Sequence, residues 1–198
     1  ILGMGAAKGG SDFPPLPNVE KELRSIVKDN GKKNFNGIIK GKAFLNKEFT
    51  KNTFVEQLRS ESFPLVHIST HFRFMPNDET QNQLLMGDGS KMSLYELRKK
   101  GNLFYKVELL TLAACETAMA GNGVEIDGFG ELAQRSGAQA VVATLWKVRD
   151  ISTMELMVTF YRELKKGSVT SKIQALRQAQ LELAGLEDLL DKKKSRKG

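Results

Sequence analysis

Short apolar runs alternate with helix-like periodicities along the chain. Strong apolar runs lie at residues 1–6, 65–70, 107–112 and 140–146, and residues 36–44 give a weaker run with two glycines. Runs of this length are typical of strands buried on both faces of a parallel sheet. Because strands alternate with helices, the sequence predicts parallel βαβ units and a sheet covered by helices on both faces.

The intervening stretches repeat apolar residues with the helical period. They predict helices at residues 19–30, from Thr50, and at 94–100, 129–136, 152–166 and 171–184. Asn18 is predicted to cap the first helix, which Gly31 then ends, and Ser93 is predicted to cap the third. Gly137 and Gly167 are the predicted ends of the fourth and fifth helices.

The remaining stretches favour loops. Residues 11–18 contain three prolines, residues 72–82 are polar, and residues 121–128 are rich in glycine and acidic residues. Residues 83–86 are predicted to form a short strand or the arm of a hairpin before the Asp88-Gly89 turn.

The chain of 198 residues is long enough for one α/β domain, predicted at residues 1–186. It begins at Ile1 inside an apparent strand, so we expect a piece of a larger protein. No stretch has the length of a membrane span and no signal peptide is present, so neither membrane nor export is expected.

The charge is +7, from 30 Lys and Arg against 23 Asp and Glu. Five of the cations crowd residues 187–198, which are predicted to form a disordered basic tail, and the body is nearly balanced. Since no basic stripe with interleaved aromatic residues accompanies the tail, direct nucleic-acid binding is not expected.

The single cysteine is the first candidate for a catalytic residue. Cys115 follows the strand at 107–112, and the carboxyl ends of strands in open α/β sheets border the ligand crevice. His71 follows the strand at 65–70 in the same way. Two parallel strands that each deliver one partner would form a Cys/His pair. A lone cysteine makes no internal disulfide, which fits a reducing, cytoplasmic setting.

Other interpretations of these residues were weighed. A cysteine in an apolar run is often a small hydrophobic residue of the core. A zinc site from His67, His71 and Cys115 lacks a fourth ligand, so no metal is predicted and His67 is assigned to the core or to a position behind the site. The glycines of residues 121–130 do not form a dinucleotide fingerprint, and no cofactor is predicted.

Five sequence blocks carry a family resemblance: LVHISTH (65–71), LTLAACETA (110–118), GAQAVVATLWKVRD (137–150), LMVTFYREL (156–164) and ALRQAQ (175–180). In this order they resemble a CHAT domain, the caspase-like peptidase domain often found behind tetratricopeptide repeats. The resemblance implies a caspase-like three-layer α/β/α sandwich with a mostly parallel central sheet.

The resemblance also implies site residues. Cys115 would be the nucleophile and His71 the general base, with the backbone N–H groups of Phe72 and Cys115 holding the oxyanion. Phe72 departs from the glycine that usually follows this histidine, and Ala113 stands where many relatives specific for basic residues carry aspartate.

A substrate is expected to bind as an extended strand near residues 143–146. The candidate groove residues are Thr144, Trp146, Asp150 and Glu116. An acidic side chain of this region, including Glu125 or Asp127, is a hypothetical partner for a basic substrate residue.

The predicted function is that of a cysteine endopeptidase that cleaves a specific protein partner. The resemblance implies control by an upstream repeat region or by an activator protein or ribonucleoprotein, in bacterial defence or signalling such as a CRISPR-associated system. Two alternatives stay open: a catalytically silent caspase-like interaction module, and a thiol hydrolase or transferase that acts on a small molecule.

Overall fold

A computed structural model describes residues 1–9, 13–73, 75, 78, 80–113, 124–143, 150–167 and 171–185; for residues 124–128 and 150 it describes the backbone only. The strands in these ranges are β1 (Leu2–Gly5), β2 (Val27–Lys28), β3 (Ile39–Lys40), β4 (Lys42–Leu45), β5 (Leu65–Ser69), β6 (Phe72–Arg73), β7 (Gln83–Leu85), β8 (Lys91–Ser93), β9 (Leu109–Ala113) and β10 (Val141–Ala143). The helices are α1 (Asn18–Ile26), α2 (Lys51–Ser60), α3 (Leu94–Arg98), α4 (Val124–Arg135), α5 (Asp150–Lys166) and α6 (Lys172–Leu183).

The central sheet has five strands in the order β10-β9-β5-β1-β4, and every described pair is parallel. β5 lies in the middle, between β1 and β9. The predicted α/β class with a parallel central sheet is therefore confirmed.

Helices cover both faces of this sheet. Alternate strand residues such as Met4, Ile68 and Leu110 share one apolar cluster with side chains of α2, α3 and α4. The residues between them, such as Leu109, share a second cluster with α1, α5 and α6. This alternation follows from the period of two in a strand, and it gives the expected three-layer sandwich.

A second, smaller sheet follows His71 directly. β6, β7 and β8 form three antiparallel strands, with Phe72 opposite Leu84. The hairpin arm predicted before Asp88-Gly89 is confirmed as β7. The prediction of a loop over residues 72–82 is wrong at its start, because β6 pairs with a segment ten residues further along the chain.

The first helix differs most from its prediction. Asn18 is its first residue and not its cap, and Pro17 at the cap position makes no side-chain hydrogen bond. The helix ends at Ile26, well before Gly31, because Val27 and Lys28 pair as β2 with β3. Sequence periodicity does not detect this pairing, since a buried Val27 also fits the apolar positions of the predicted helix.

The weak strand predicted at residues 36–44 is two strands separated by Gly41. A Cβ atom at Gly41 would lie 1.8 Å from the carbonyl oxygen of Ile1. The close approach of the backbone of β1 explains both the glycine and the break between β3 and β4.

The later elements keep their predicted order with shifted ends. Ser93 caps α3 as expected, Thr50 is the cap of α2 and not its first residue, and Gly137 follows α4 with a φ of 105°. α4 begins at Val124, so residues 124–128 are helical and not loop, whereas α3 stops at Arg98. Residues 144–146 of the predicted last strand lie outside the described residues.

Candidate functional site

The two strands predicted to carry the Cys/His pair are neighbours in the sheet. β5 and β9 are parallel, with Leu65 opposite Leu109 and Ser69 opposite Ala113. Both strands therefore end at the same edge of the sheet. His71 follows Ser69 by two positions, and Cys115 follows Ala113 by two in the sequence. Cys115 itself lies outside the described residues.

His71 is buried at this edge, with 2% of its surface exposed. Its Nε2 atom lies 2.7 Å from the carbonyl oxygen of Pro14. Because a carbonyl oxygen can only accept, this hydrogen bond requires the proton on Nε2. In the neutral ring the lone pair is then on Nδ1, which makes Nδ1 the basic nitrogen.

The imidazole also contacts an aromatic ring. The centroids of Phe13 and His71 lie 4.9 Å apart, with an angle of 24° between the planes. The guanidinium carbon of Arg73 lies 5.0 Å from the Phe13 centroid, and the ammonium nitrogen of Lys91 lies 5.6 Å from it. Residues from the loop before α1, from β6 and from β8 therefore meet around His71.

We call residues 13–17 the strap, since they connect β1 to α1 beside His71. The Leu16 N–H donates to the carbonyl of Ala7 over 2.9 Å, which closes the strap onto the end of β1. No group that orients the histidine is identified by the sequence alone. The three prolines at residues 14, 15 and 17 were a usable signal, because proline has no N–H and such a segment has few donors to satisfy its own carbonyls.

Further from the carboxyl edge of the sheet, His67 forms a second buried hydrogen bond. Its Nε2 lies 2.6 Å from Oε1 of Glu22 on α1, and both side chains are almost completely buried. Among the described residues no hydrogen-bond partner faces Nδ1 of His67. His67 thus lies in the core, as expected, but Glu22 was missed. The signal was its place on the apolar face of α1, between Val19 and Ile26.

Tyr161 of α5 completes this buried polar group. Its ring meets the His67 ring edge-on at 5.4 Å, and its hydroxyl donates to Oγ1 of Thr111 over 2.9 Å. Burial raises the pKa of Tyr161 well above its ordinary value, the hydrogen bond to Thr111 lowers that pKa in part, and the charge of Glu22 raises it further.

A comparison with protein-family models matches the CHAT domain over residues 2–192. The chain belongs to the CHAT-domain family. The family is of the caspase-like cysteine peptidase type, in agreement with the α/β sandwich and with the resemblance of the five sequence blocks. A search of curated protein sequences found no match.

In this CHAT domain, two of the predicted site residues have described side chains. His71 lies at the carboxyl edge of the sheet, and Phe72 turns its ring into the core, where it meets Phe129 edge-on at 5.6 Å. Asp150 begins α5 with only its backbone described. The other predicted residues, Cys115, Glu116, Thr144 and Trp146, lie outside the described residues.

Two surface cavities lie away from His71. One of about 530 Å³ lies between α2 and α3 and is crossed by the ion pair of Lys51 with Glu96. The other, of about 440 Å³, is lined by α1, α5 and α6. Their linings mix both charge signs and hold neither histidine, so they suggest no part in cysteine chemistry.

Over the described ranges, no group of three or more His, Cys, Asp and Glu side chains is placed to bind a metal ion. In the same part of the CHAT domain, every helix is too short or too polar to span a bilayer.

Proposed function

We propose that this CHAT domain is a cysteine endopeptidase in which Cys115 is the nucleophile and His71 is first the general base and then the general acid. The observation that carries the proposal is the register of β5 and β9, with Ser69 opposite Ala113. Two residues of chain span at most about 7 Å, so the Cα atom of Cys115 is within that distance of Ala113.

The chemistry fits the proton arrangement of His71. A free thiol has a pKa near ~8.5, and a neighbouring imidazole favours the thiolate by taking its proton. With the Nε2 proton held by the carbonyl of Pro14, Nδ1 is the nitrogen available to receive the proton of the thiol. The strap carbonyl then stabilises the imidazolium by accepting its Nε2–H, the part that a third catalytic side chain plays elsewhere.

The proposed reaction has two steps. The thiolate attacks the peptide carbonyl carbon, the C–N bond breaks, and His71 gives its proton to the leaving amine. Water, deprotonated by His71, then hydrolyses the thioester and regenerates the thiol. The backbone N–H groups of Cys115 and Phe72 are the proposed oxyanion donors, each worth roughly 3–4 kcal/mol in the transition state. No metal or cofactor takes part.

We propose that the protein substrate binds as an extended strand on the β10 side of the sheet. At the opposite edge, the outward N–H groups of Ala43 and Leu45 on β4 already donate to the carboxylates of Asp29 and Glu48. That edge has few donors left for a new strand. Among the described residues no strand pairs with the outer side of β10, whose side chains are half-buried.

The groove would be formed by residues that follow β9 and β10 in the chain. Thr144 and Trp146 come directly after β10, Asp150 begins α5, and Glu116 follows the nucleophile. Their places in the sequence, after two neighbouring strands, support this assignment. A basic substrate residue paired with one of the acids is the corresponding hypothesis for specificity.

The biological setting is proposed from family membership alone. It comprises a cytoplasmic protease controlled by an upstream repeat region or by an activator protein or ribonucleoprotein, in a defence or signalling system such as a CRISPR-associated one. The domain itself is not proposed to bind nucleic acid or membrane.

One observation favours the catalytically silent interaction module as the second candidate. Phe72 replaces the glycine expected after the histidine. Its ring is buried against Phe129, so the bulk of the side chain is directed into the core. The replacement is therefore weak support for loss of activity.

The test is cleavage-site mapping in the proteome of the host, with the active full-length protein compared with Cys115→Ala and His71→Gln. We expect specific cleavage by the wild type, none by Cys115→Ala, and a rate lowered by about 10²–10⁴-fold in His71→Gln. A peptidyl electrophile should label the wild type and not Cys115→Ala. Labelling and cleavage that persist in Cys115→Ala would falsify the assignment, and a folded, activated wild type that does neither would favour the silent module.

A further inference from the structure

We propose that Phe13 is the positioning residue that fixes the plane of the His71 imidazole, and that Arg73 and Lys91 hold the Phe13 ring in place. This inference deepens the proposed function and rests on it, since the fixed plane matters only if His71 transfers protons. The observation that carries it is the stack of Phe13 on His71, with two cations over the same Phe13 ring.

The hydrogen bond to the strap fixes only part of the orientation of His71. The contact between Nε2 and the carbonyl of Pro14 holds one atom of the imidazole, and this hydrogen bond by itself does not set the plane of the ring. The nearly parallel Phe13 ring, 24° from the imidazole plane, opposes rotation of the imidazole because turning would drive the ring edge into the phenyl face. Proton transfer requires Nδ1 to point in one direction, so the second contact supplies what the first leaves undefined.

The strap is a loop, so Phe13 must itself be held by contacts with other elements if it is to fix the imidazole plane. Phe13 is supported from the small antiparallel sheet, because Arg73 belongs to β6 and Lys91 to β8. Each cation is attracted to the face of the Phe13 ring, which restrains the ring. Arg73 is only two residues after His71. The histidine and one of the two cations that contact Phe13 therefore belong to the same stretch of backbone.

The hydrogen bonds of the backbone complete the arrangement. The Leu85 N–H donates to the carbonyl of His71 over 2.9 Å, and Oγ1 of Thr70 donates to the carbonyl of Leu85 over 2.7 Å. β7 is thereby attached to the residues that carry the imidazole, and β7 pairs with both β6 and β8. The small sheet therefore holds the backbone of His71 directly and its ring through Phe13.

The chain contains two histidines, which allows a test by NMR of the protein labelled with ¹⁵N-histidine. In the wild type we expect His71 as a single Nε2–H tautomer when neutral, with its ring protons shifted upfield by Phe13. His67 is an internal reference in the same spectrum, because its ring contacts Glu22 and Tyr161 and not Phe13. Signals are assigned with His71→Gln.

The variant is Phe13→Leu, with Phe35→Leu as the matched control. Phe35 is equally buried, at 5% exposed against 6% for Phe13, and Arg24 lies 4.7 Å from its ring centroid. Phe13→Leu should abolish the upfield shift, broaden the His71 ring signals because the plane becomes mobile, and leave His67 unchanged. We expect kcat to fall by on the order of tenfold with KM unchanged. Phe13→Tyr should keep both the upfield shift and the narrow signals, and Arg73→Gln combined with Lys91→Gln should broaden the His71 signals.

Three results would overturn the proposal: a wild-type His71 that is not the Nε2–H tautomer, a Phe13→Leu spectrum in which His71 is unchanged, or the same change of His71 in Phe35→Leu. If Phe13→Leu does not fold, the upfield shift of the wild-type ring protons and their loss of sharpness in Arg73→Gln combined with Lys91→Gln still test the stack and its support. Because the spectrum requires neither a substrate nor Cys115, its outcome is distinguishable from failure of the proposed protease function.

Discussion

Glu22 carries a carboxylate into a largely apolar core, where its side chain is 1% exposed. Its Oε1 lies 2.6 Å from Nε2 of His67, and Tyr161 lies against the same imidazole. A buried acid is tolerated only when a hydrogen-bonded partner offsets the loss of solvation. The pair therefore fixes which residue of α1 faces which residue of β5.

At the residue scale we predict that Glu22→Ala lowers the free energy of unfolding by about 3–5 kcal/mol. The substitution leaves the Nε2 of His67 buried without its acceptor, and it opens a cavity. Glu22→Gln keeps an acceptor oxygen of the same shape and should cost less. Urea denaturation monitored by circular dichroism measures both values.

The matched control for this prediction is Glu20→Ala on the same helix. Glu20 pairs with Arg24 at the surface, where both side chains are substantially exposed, so its loss should cost below about 1 kcal/mol. If Glu20→Ala and Glu22→Ala destabilise the domain equally, the buried pair has no special importance.

The candidate site was predictable from sequence only in part. His71 and Cys115 each follow an apolar run, and that local pattern was enough to place them at strand ends. The orienting group at Pro14 is a backbone carbonyl, which any residue possesses, so the prolines mark a segment with spare carbonyls but do not identify the carbonyl that meets His71. Phe13 and Glu22 owe their contacts to partners 45 or more positions away, and a single sequence carries no record of such pairing.

At the scale of elements, the ends of helices and strands depended on contacts between distant segments. α1 stops at Ile26 because the next two residues, Val27 and Lys28, pair with β3. α4 begins at Val124 although glycines lie within it. Glycine is a poor helix former, so local propensity favoured a loop there. The strongly apolar strands were predicted well, because burial on both faces leaves an unbroken run in the sequence.

The junction of β1 with β3 and β4 gives the prediction at this scale. Gly41→Ala should destabilise the domain by about 1–3 kcal/mol, because the added methyl group meets the backbone of Ile1 and one strand must shift. Since β1 pairs with β5, the shift should also appear as chemical-shift changes along β5 in a two-dimensional NMR spectrum.

Gly31→Ala is the control for this substitution. At that position the new Cβ would meet only a side-chain oxygen of Asp29 at 3.3 Å, so we expect a change within about 1 kcal/mol in either direction. A Gly41→Ala domain with unchanged stability and an unchanged spectrum would show that the strands yield easily at this junction.

At the scale of the whole domain, one helical layer is joined by polar contacts to both strands of the site. Glu22 attaches α1 to His67 of β5, and Tyr161 attaches α5 to Thr111 of β9. His67 and Thr111 are opposite each other in the sheet, and they precede His71 and Cys115 by four positions in the sequence. Through these contacts α1 and α5 hold β5 and β9 relative to each other where His67 faces Thr111.

The buried hydroxyl of Tyr161 predicts how the stability of the domain responds to alkaline pH. The phenol of an unfolded chain loses its proton near pH ~10, whereas burial raises the pKa of Tyr161 in the folded domain. The unfolded state then binds fewer protons than the native state, so the wild type loses stability as the pH rises above ~10, by up to about 1.4 kcal/mol per pH unit. Below that pH the contribution of Tyr161 is fully present.

Tyr161→Phe isolates this effect from the titration of all other groups. Near pH ~7 the variant should be less stable than the wild type by about 1 kcal/mol, because Thr111 loses its donor. The deficit should shrink as the pH rises and reverse near pH ~11, since phenylalanine has no proton to release. Urea midpoints across this range measure the difference, with the exposed Tyr105→Phe as the control that should follow the wild type. A deficit that stays constant up to pH ~11.5 would mean that the Tyr161 hydroxyl is not held protonated by the fold.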